Sequence, residues 1–216
     1  MNRILILSGP THEYIDPVRF IGNASSGLMG MHIAEEAQKR NFDIDFITGP
    51  IPVQNIPTIN ESSKIYTITS AQEMLTKVKK IFSNKHKIVI FVAAVSDYRP
   101  DIKKDNKIKS NNRNLSIKLL PNIDIASQLG SIKNDNQLFI GYSLQESNDY
   151  KIAKDKLLKK NLDSIILNSP DCIGSDKGSY IILNRQDTEP LNIGNISKKE
   201  CAFFIINDLI KRIWKD

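Results

Sequence analysis

The sequence is poor in the residues that build metal centres and disulfide frameworks. Its 216 residues include two cysteines, Cys172 and Cys201, and three scattered histidines, His12, His32 and His86. The cysteines form no CxxC pair, and the histidines stand at none of the spacings typical of zinc ligands. These absences argue against a zinc site, and we expect both cysteines to be reduced, buried and structural.

Long apolar runs are also missing. The first apolar segment, Ile4–Leu7, has the length of a strand and is too short for the core of a signal peptide or for a membrane span. We therefore expect a cytoplasmic protein with no membrane partner. The excess of 30 Lys and Arg over 24 Asp and Glu is modest, so it suits small anionic ligands and does not indicate a nucleic-acid groove.

What is present is the composition of an ordinary globular domain, with 40% hydrophobic and 25% charged residues. A chain of this length can bury one sizeable core, so we predict a single domain over residues 1–216. The predicted strands are Ile4–Leu7, Ile44–Thr48, Ile65–Ile68, Ile88–Val92, Ile117–Leu120, Leu138–Tyr142, Ser164–Leu167 and, at an edge, Ser179–Leu183. The predicted helices are Ser25–Arg40, Ser70–Ile81, Asp124–Leu129, Asp149–Lys160 and Ser197–Trp214. This alternation predicts an α/β fold, in which a mostly parallel sheet has helices on both faces and binds ligands at the carboxyl ends of its strands.

The connection between the first strand and the first helix lacks the GxGxxG fingerprint of dinucleotide-binding proteins. This argues against one alternative, an NAD(P)-dependent reductase. The connection instead carries Arg19 and Asn23, followed by Ser25-Ser26-Gly27 at the start of the predicted helix. Free amides and the helix dipole at such a start suit an anion, although an ordinary N-cap and turn would look the same.

Two lysines have an unusual position in the predicted helix over 149–160. At about 100° per residue, Lys156 and Lys160 fall within the apolar stripe, between Ile152 on one side and Ala153 and Leu157 on the other. Two ammonium groups on an inward face require an anion such as a polyphosphate. The alternative is that both side chains snorkel to solvent.

A carboxylate follows the most apolar predicted strand. Ala93–Pro100 comes directly after that strand and contains Asp97, which is therefore predicted at the carboxyl end of the sheet, where ligands bind. Capping of a turn is the alternative role. The next segment, 99–114, is rich in Lys, Asp and Asn and predicts a loop. It is either a solvated insertion or a mobile active-site flap that carries Lys107 and Lys109.

Together these motifs resemble phosphopantothenoylcysteine synthetase, the ligase of coenzyme A biosynthesis, over nearly the whole chain. The resemblance is carried by Ser8–Thr11, Ile15–Gly27, Ala93–Pro100 and Lys107–Lys109, with weaker matches at Asn122–Ile125, Gly141-Tyr142, Lys156–Asp163 and Gly174–Asp176. It implies a Rossmann-like, doubly wound sheet in a stand-alone ligase without a decarboxylase domain. It also implies a homodimer.

The resemblance further implies a reaction. Bacterial members of the family join 4′-phosphopantothenate to L-cysteine with CTP and Mg²⁺, through an acyl-cytidylate. The substrate carboxylate attacks the α-phosphorus, pyrophosphate leaves, and the cysteine amine then attacks the mixed anhydride and releases CMP. Such chemistry depends on positioning and on cancelling negative charge. We expect Mg²⁺ to be held mainly by the triphosphate, with no metal ligands from the protein.

Residue roles follow from the same resemblance. Asn23 and Arg19 would orient the acyl-cytidylate, and Lys107 would approach the phosphates when its loop closes. Roles in the nucleotide pocket fall on Gly9, Ser26, Gly27, Ala93, Asp97, Asn122, Asp124, Ile125, Tyr142, Lys156 and Lys160.

The sequence departs from the family pattern at three places. Leu28 replaces a lysine, Ile123 replaces a proline, and residues 142–147 replace a run that usually begins with phenylalanine. Tyr142 still permits stacking, and the last departure leaves the preference for the nucleotide base open. A second alternative, a non-catalytic nucleotide-sensing module, would keep the pocket but would need neither Lys107 nor Asn23.

Overall fold

The computed structural model describes residues 3–110, 114–144 and 150–213. Its strands are β1 (Arg3–Ser8), β2 (Glu13–Tyr14), β3 (Phe20–Ile21), β4 (Asp43–Thr48), β5 (Lys64–Thr67), β6 (His86–Phe91), β7 (Tyr98–Pro100), β8 (Leu119–Pro121), β9 (Leu138–Leu144), β10 (Ser164–Asn168), β11 (Lys177–Asn184) and β12 (Leu191–Ser197). Its helices are α1 (Leu28–Lys39), α2 (Ala71–Ile81), α3 (Ile125–Gly130), α4 (Tyr150–Lys159), α5 (Lys198–Phe204) and α6 (Ile210–Ile213). A π-helical turn over Ile205–Leu209 joins α5 to α6.

Eight strands form the central sheet, in the order β12-β11-β10-β9-β6-β1-β4-β5. The six strands from β10 to β5 are parallel, and β11 and β12 extend the sheet as an antiparallel hairpin. Counted along the chain, the parallel strands follow the doubly wound order 3-2-1-4-5-6. This confirms the predicted Rossmann-like α/β fold. It also places a crevice between β1 and β6, where the strand order reverses.

Both faces of the sheet are covered by helices, which explains why the central strands are continuously apolar. On β1, Ile4 and Ile6 pack into the core beneath α1 and α5, whereas Leu5 and Leu7 pack into the core beneath α2, α3 and α4. All four side chains are at most 1% exposed. The two cores therefore hold the strands firmly beneath the crevice.

Two strand predictions were wrong in their placement. The predicted strand Ile117–Leu120 is β8, which pairs with β7 in a separate two-stranded ribbon and not with the central sheet. Residues 115–119 are apolar at alternate positions but exposed, so the pattern reflects a surface ribbon and not a core strand.

The predicted edge strand Ser179–Leu183 belongs to β11, which is covered by β12. The sequence of β12 contains Asn192, Gly194 and Asn195 and has no clear apolar alternation. Gly194 has a φ of 83°, and the pairing shifts register between Tyr180 and Ile181. Because this pairing is irregular, the sequence of β12 lacks the alternation of apolar and polar residues that predicts a strand.

The ribbon of β7 and β8 packs against a second small ribbon, formed by β2 and β3. We call these four strands and their connecting residues, 13–21 and 98–121, the arm. Within the described part of the arm, residues 98–100 are a strand, so the loop predicted over 99–114 begins later. Residues 111–113 lie outside the described residues.

The C-terminal helix predicted over Ser197–Trp214 is confirmed as far as the described residues extend. Ser197 caps it through a capping box with Glu200, and the π-helical turn interrupts it. Asp149 and Trp214, the predicted ends of two helices, lie outside the described residues. No helix in the described ranges combines the length and apolar character needed to cross a membrane.

Candidate active site

A cavity of 760 Å³ lies at the carboxyl ends of β1, β6, β9 and β10. It occupies the point where the strand order reverses, which is the usual ligand site of doubly wound sheets. Its wall is formed by residues 23–30, 91–97, 122–126, 141–144 and 172–174. Single residues complete the wall: Leu7, Lys156, Lys160, Leu162, Ile165, Asn168, Tyr180 and Lys198.

Most residues that the sequence predicted for the site line this one cavity. They are Asn23, Ser26, Gly27, Ala93, Asp97, Asn122, Asp124, Ile125, Tyr142, Lys156 and Lys160. Gly9, Arg19 and Lys107 do not line it. The fold thus brings together five segments that are separate in the sequence.

Asn23 connects two walls of the cavity. Its Nδ2 donates to the carbonyl oxygens of Ala94 and Val95, at 3.4 and 3.1 Å. The side chain is exposed, and these two bonds hold it against the segment that follows β6. Because Nδ2 is used in this way, the amide oxygen Oδ1 is the group of Asn23 that is left for a ligand.

Asn122 supplies a second amide to the cavity. Its backbone N–H donates to the carbonyl oxygen of Asp97 at 2.8 Å, and its Oδ1 accepts from the amide of Ile123 at 3.0 Å. Its Nδ2 is buried and has no partner in the described part of the chain. An unsatisfied buried donor in a cavity wall suits a ligand acceptor.

Asp124 is fixed at the start of α3. It accepts hydrogen bonds from the amide and the hydroxyl of Ser127, at 3.0 and 2.8 Å, and it pairs with Lys160 at 3.2 Å. Burial by itself would raise the pKa of Asp124, but the bonds from Ser127 and the charge of Lys160 outweigh burial and lower this pKa. Asp124 therefore stays ionised and orients the lysine.

The two helix lysines reach the cavity from the margin of the apolar stripe. Nζ of Lys156 donates to Oγ of Ser143 at 3.1 Å. Ala153 and Leu157 are buried, but Ile152 is 56% exposed. The prediction that both lysines lie inside the stripe was therefore wrong, because the stripe does not extend to Ile152 and leaves the lysines at its edge.

Tyr142 lies on the opposite side of the sheet from these lysines. Its ring packs into the core beneath α1 and α5, and its hydroxyl lies 4.0 Å from Sγ of Cys201. Burial raises the pKa of Tyr142 well above its usual value, so the phenol stays neutral. Cys172 and Cys201 are both buried and free, as predicted.

Arg19 and Lys107 lie away from the cavity, in the arm. The Arg19 guanidinium pairs with Asp16 at 2.9 Å and donates to the carbonyl oxygen of Ile108. Asp16 also accepts from the amides of Val18 and Arg19, both at 2.9 Å, and of Ile108 at 3.1 Å. These bonds tie the segment around Lys107 to residues 15–19 and leave the Lys107 side chain exposed.

Asp16 is completely buried in this junction. Burial favours a higher pKa for its carboxyl, but the three amide bonds and the Arg19 charge lower that pKa overall. The junction therefore contains a carboxylate that stays ionised at neutral pH.

Gly9 has a conformational role. Its φ is 70°, and a Cβ at this position would lie 2.8 Å from Oγ1 of Thr48 and 2.9 Å from Cγ2 of Ile51. Only glycine tolerates this conformation and this close approach.

Sequence reasoning missed several lining residues, namely Asn168, Cys172, Tyr180 and Lys198. For Lys198 the missing signal was β12. Since β11 and β12 are successive antiparallel strands, β12 runs in the same direction as β10 and ends at the cavity edge. Recognition of β12 as a strand would have placed Lys198 at this edge.

Comparison with known proteins agrees with this architecture. Residues 1–213 match the family model described as the DNA/pantothenate metabolism flavoprotein C-terminal domain. The coenzyme A biosynthesis bifunctional protein CoaBC of Borreliella burgdorferi is 41% identical over 209 residues, which are 96% of this chain and 52% of that protein. The protein of the same name from Haemophilus influenzae is 37% identical over 215 residues, 98% of this chain and 52% of that protein. The chain thus spans about half the length of these curated relatives.

Solved structures show the same fold. The C-terminal domain of a coenzyme A biosynthesis bifunctional protein CoaBC is 32% identical, with a TM-score of 0.77 over 96% of this chain and 95% of that chain. A mutant of Cab2 in complex with phosphopantothenate-cysteine is 17% identical and shares the fold, with a TM-score of 0.77 over 98% of this chain and 86% of that chain. With a family model that covers nearly the whole chain and relatives of this identity, the chain belongs to the family of the DNA/pantothenate metabolism flavoprotein C-terminal domain.

Proposed function

We propose that the chain is a phosphopantothenate–cysteine ligase, which joins 4′-phosphopantothenate to L-cysteine in coenzyme A biosynthesis. It uses CTP and releases CMP and pyrophosphate. The observation that carries this proposal is the cavity at the strand-order switch point, which unites Lys156 and Lys160 with Asn23 and Asp97. The relatives named for coenzyme A biosynthesis support the same assignment.

Lys156 of α4 and Lys160, which directly follows α4, are suited to the triphosphate of CTP. Two ammonium groups on one wall, with the free Nδ2 of Asn122 in the same cavity, can neutralise charge that develops when the substrate carboxylate attacks the α-phosphorus and pyrophosphate leaves. The ion pair with Asp124 holds Lys160 in place before the ligand binds. Preorganised charge of this kind stabilises the transition state without reorganisation.

Asn23 orients the acyl-cytidylate. Its Nδ2 is bound to the carbonyl oxygens of Ala94 and Val95, so its Oδ1 faces no competing donor among the described residues and can accept from an N–H of the bound intermediate or of the cysteine amine. That amine attacks the carbonyl carbon of the mixed anhydride, and CMP leaves. Fixing this geometry is the main contribution expected of the protein.

The roles of Arg19 and Lys107 stay predictions. Both residues lie in the arm, and both can contribute only if the segment around Lys107 approaches the bound nucleotide. Four lysines between residues 103 and 109 would bring positive charge to the triphosphate in that arrangement.

The residues present fit a magnesium ion that the nucleotide carries. Asp97 and Asp124 are the carboxylates of the cavity wall, and both oxygens of Asp124 already accept hydrogen bonds. Within the described ranges, no group of three or more His, Cys, Asp or Glu is placed to hold a metal. When bound, Mg²⁺ would neutralise the phosphates as a Lewis acid, and the chain's own lysines would hold those phosphates.

We also infer a cytoplasmic homodimer without nucleic-acid or membrane partners. Exposed apolar side chains of the arm, among them Val18, Phe20, Tyr98 and Leu119, favour contact with a second copy. The two buried free thiols suit a reducing compartment.

Pyrophosphate release tests the proposed function. The purified chain is incubated with Mg²⁺, 4′-phosphopantothenate and either CTP or ATP, with and without L-cysteine, and products are identified by mass spectrometry. CTP-dependent pyrophosphate and a cysteine amide are expected. Activity with ATP alone would keep the reaction and overturn the nucleotide assignment. Measurable CTP binding without turnover would instead favour a nucleotide-sensing module.

A further inference from the structure

Lys160 lies along α3, and both ends of that helix contact it. The Lys160 side chain lines the cavity, and its Nζ pairs at 3.2 Å with Asp124, the N-cap of α3. The carbonyl group of the same lysine lies against Gly130, the last residue of α3, where a Cβ would come within 2.1 Å of the carbonyl oxygen. The ammonium and the backbone of Lys160 are therefore placed by opposite ends of one short helix.

Asn161 completes this contact. It directly follows Lys160, has a φ of 52°, and donates from Nδ2 to the carbonyl oxygen of Gly130 at 3.0 Å. Its Oδ1 accepts from Nη2 of Arg185 at 2.9 Å, and its backbone carbonyl oxygen accepts from Nζ of Lys133 at 3.3 Å. The residue next to a cavity lysine thus joins the end of α4 to the end of α3 and to the residue that follows β11.

The two cations that bind Asn161 are themselves fixed. The Lys133 side chain is 8% exposed and pairs with Asp163 at 2.5 Å. Nε of Arg185 donates to the carbonyl oxygen of Leu162 at 2.9 Å, and the backbone N–H of Arg185 donates to that of Asp163 at 2.8 Å. Residues 161–163 are therefore held by several partners. Supporting bonds of this kind keep a functional side chain close to one geometry.

The end of a helix by itself does not require these side-chain bonds. The helix α1 ends in the same way as α4, at Asn41, which has a φ of 59°. In both helices the asparagine N–H donates to the carbonyl oxygen three residues earlier, and the next N–H donates five residues earlier. This is the Schellman motif, in which glycine or asparagine is common. The motif explains the φ of Asn161 but not its bonds to Gly130 and Arg185.

We propose that Asn161 and Gly130 are positioning residues, which hold the backbone of Lys160 so that its ammonium meets the triphosphate of the nucleotide. This inference rests on the proposed ligase function. The pair with Asp124 constrains the ammonium, whereas the contacts with Gly130 and Asn161 constrain the other end of the side chain. With both ends fixed, the lysine has few conformations to lose when a phosphate binds, which favours affinity.

Pyrophosphate release at varied CTP concentration tests this role in Asn161→Gly, Gly130→Ala and the matched control Asn41→Gly. Glycine keeps the left-handed conformation at the helix end and removes the side-chain bonds. We expect KM for CTP to rise about threefold to tenfold in Asn161→Gly, the range for loss of one hydrogen bond. In Gly130→Ala it should rise about tenfold or more, because the new Cβ displaces the Lys160 carbonyl.

The effect should be confined to the nucleotide. KM for 4′-phosphopantothenate should stay near the wild-type value in both variants, and Asn41→Gly should leave KM for CTP unchanged, since neither Asn41 nor Arg40 lines the cavity. A purely structural defect would lower the active fraction, and hence the apparent kcat, without changing KM for CTP. That result in Asn161→Gly or in Gly130→Ala would overturn the proposal.

A double-mutant cycle decides whether the effect passes through Lys160. In a Lys160→Met background, Asn161→Gly and Gly130→Ala should raise KM for CTP no further, because the group that they position is already absent. Effects that multiply in the double variants would overturn the proposal, and so would an equal rise in Asn41→Gly.

Failure of the ligase assignment gives a different result. If the wild type releases no pyrophosphate, calorimetric titration with CTP and Mg²⁺ supplies Kd for the same cycle. Weaker binding to Asn161→Gly than to the wild type, with no such difference in the Lys160→Met background, would support the positioning role without the reaction. Equal binding to the wild type and Asn161→Gly, or no binding to the wild type, would reject it.

Discussion

At the scale of single residues, the lysines at the end of α4 allow ligand binding to be distinguished from surface charge. Lys156 and Lys160 line the cavity, whereas Lys159 does not. We expect Lys156→Met and Lys160→Met each to raise KM for CTP about tenfold to a hundredfold, since under the proposed function each substitution removes a charged hydrogen bond to phosphate. Lys159→Met, which removes the same charge from the same helix, should leave KM for CTP near the wild-type value.

Pyrophosphate release at varied CTP concentration measures this difference. An equal rise in KM for CTP in all three variants would mean that net charge, and not the position of each lysine, controls nucleotide binding. A rise in KM for 4′-phosphopantothenate alone would contradict the assignment of Lys156 and Lys160 to the nucleotide.

The site residues could be predicted from the sequence where a side chain follows a strand with a clear pattern. Asp97 comes directly after an apolar run, and Lys156 stands one turn from Lys160, so position along the chain predicts position in the cavity. Lys198 could not be found in this way, because β12 is polar and irregular. Arg19 was predicted from its motif, but Asp16 holds it in the arm, a contact that depends on tertiary packing.

At the scale of elements, the junction between Asp16 and the segment around Lys107 depends on a single buried side chain. Asp16 accepts three backbone amides and pairs with Arg19. We expect Asp16→Asn to loosen this junction, because it removes the charge and converts one acceptor oxygen to a donor. Trypsin should then cleave faster at Lys103, Lys104 and Lys107, as measured by mass spectrometry of early fragments.

Asp105→Asn is the control for this prediction, because Asp105 lies in the same segment and is exposed. The low pKa of Asp16 keeps it ionised in the folded state, so wild-type cleavage should stay slow at neutral pH. Below about pH 4, where an ordinary Asp becomes protonated, the junction should begin to weaken. Equal cleavage of wild type and Asp16→Asn at neutral pH would show that the junction does not hold the segment.

The amino ends of β1, β4 and β6 carry a second buried charge cluster, at the opposite edge of the sheet from the cavity. Asp45 accepts from Nε2 of His86 at 2.8 Å and pairs with Arg3 at 3.3 Å. The Ser83 amide donates to Nδ1 of His86 at 3.1 Å, which fixes the ring proton on Nε2. Burial alone would raise the pKa of Asp45, but His86 and Arg3 outweigh burial and lower this pKa.

This cluster predicts a pH dependence of stability. Because the folded-state pKa of Asp45 is lowered, its contribution is present above the unfolded value of about 4 and is lost as pH falls through the folded value. Asp45→Asn should cost about 3 to 5 kcal/mol of unfolding free energy at pH 7, the range for breaking a buried pair. It should also flatten the acid side of the stability profile. Urea titrations between pH 3 and pH 7 measure both effects.

Asp135→Asn, at an exposed position, controls for the general effect of removing a carboxylate. A parallel acid profile in Asp45→Asn and wild type would contradict the prediction. A neutral effect of Asp45→Asn at pH 7 would contradict it as well, because removal of one partner should leave the charge of Arg3 without this compensation.

The elements themselves were largely predictable, and the exceptions share one cause. Continuous apolar strands such as β1 and β6 lie between two helical layers, so their composition alone indicates burial on both faces. The arm ribbons and β12 are short or irregular and are exposed on one face, so tertiary pairing and not local pattern determines them. Their placement relative to the central sheet therefore required the structure.

At the scale of the whole molecule, helices cover both faces of the central sheet, whereas apolar side chains of the arm are exposed. Val18 is 57%, Tyr98 53% and Leu119 39% exposed, and these residues come from ribbons that pack together. Contiguous exposed apolar surface on a compact domain favours association. We therefore predict a homodimer in which the arm forms the interface, with a mass about twice the 24.4 kDa of one chain.

Light scattering coupled to size-exclusion chromatography tests this arrangement. The double variant Val18→Glu, Leu119→Glu should be monomeric across the micromolar range, because four like charges would face one another across a two-fold interface. Ile132→Glu is the matched control: Ile132 is 61% exposed and lies outside the arm, so this variant should remain dimeric. The thermal unfolding of all three proteins should be compared at the same concentration, since dissociation of a dimer by itself lowers Tm. A monomeric wild type, or a double variant that stays dimeric, would show that the arm's apolar surface has another role.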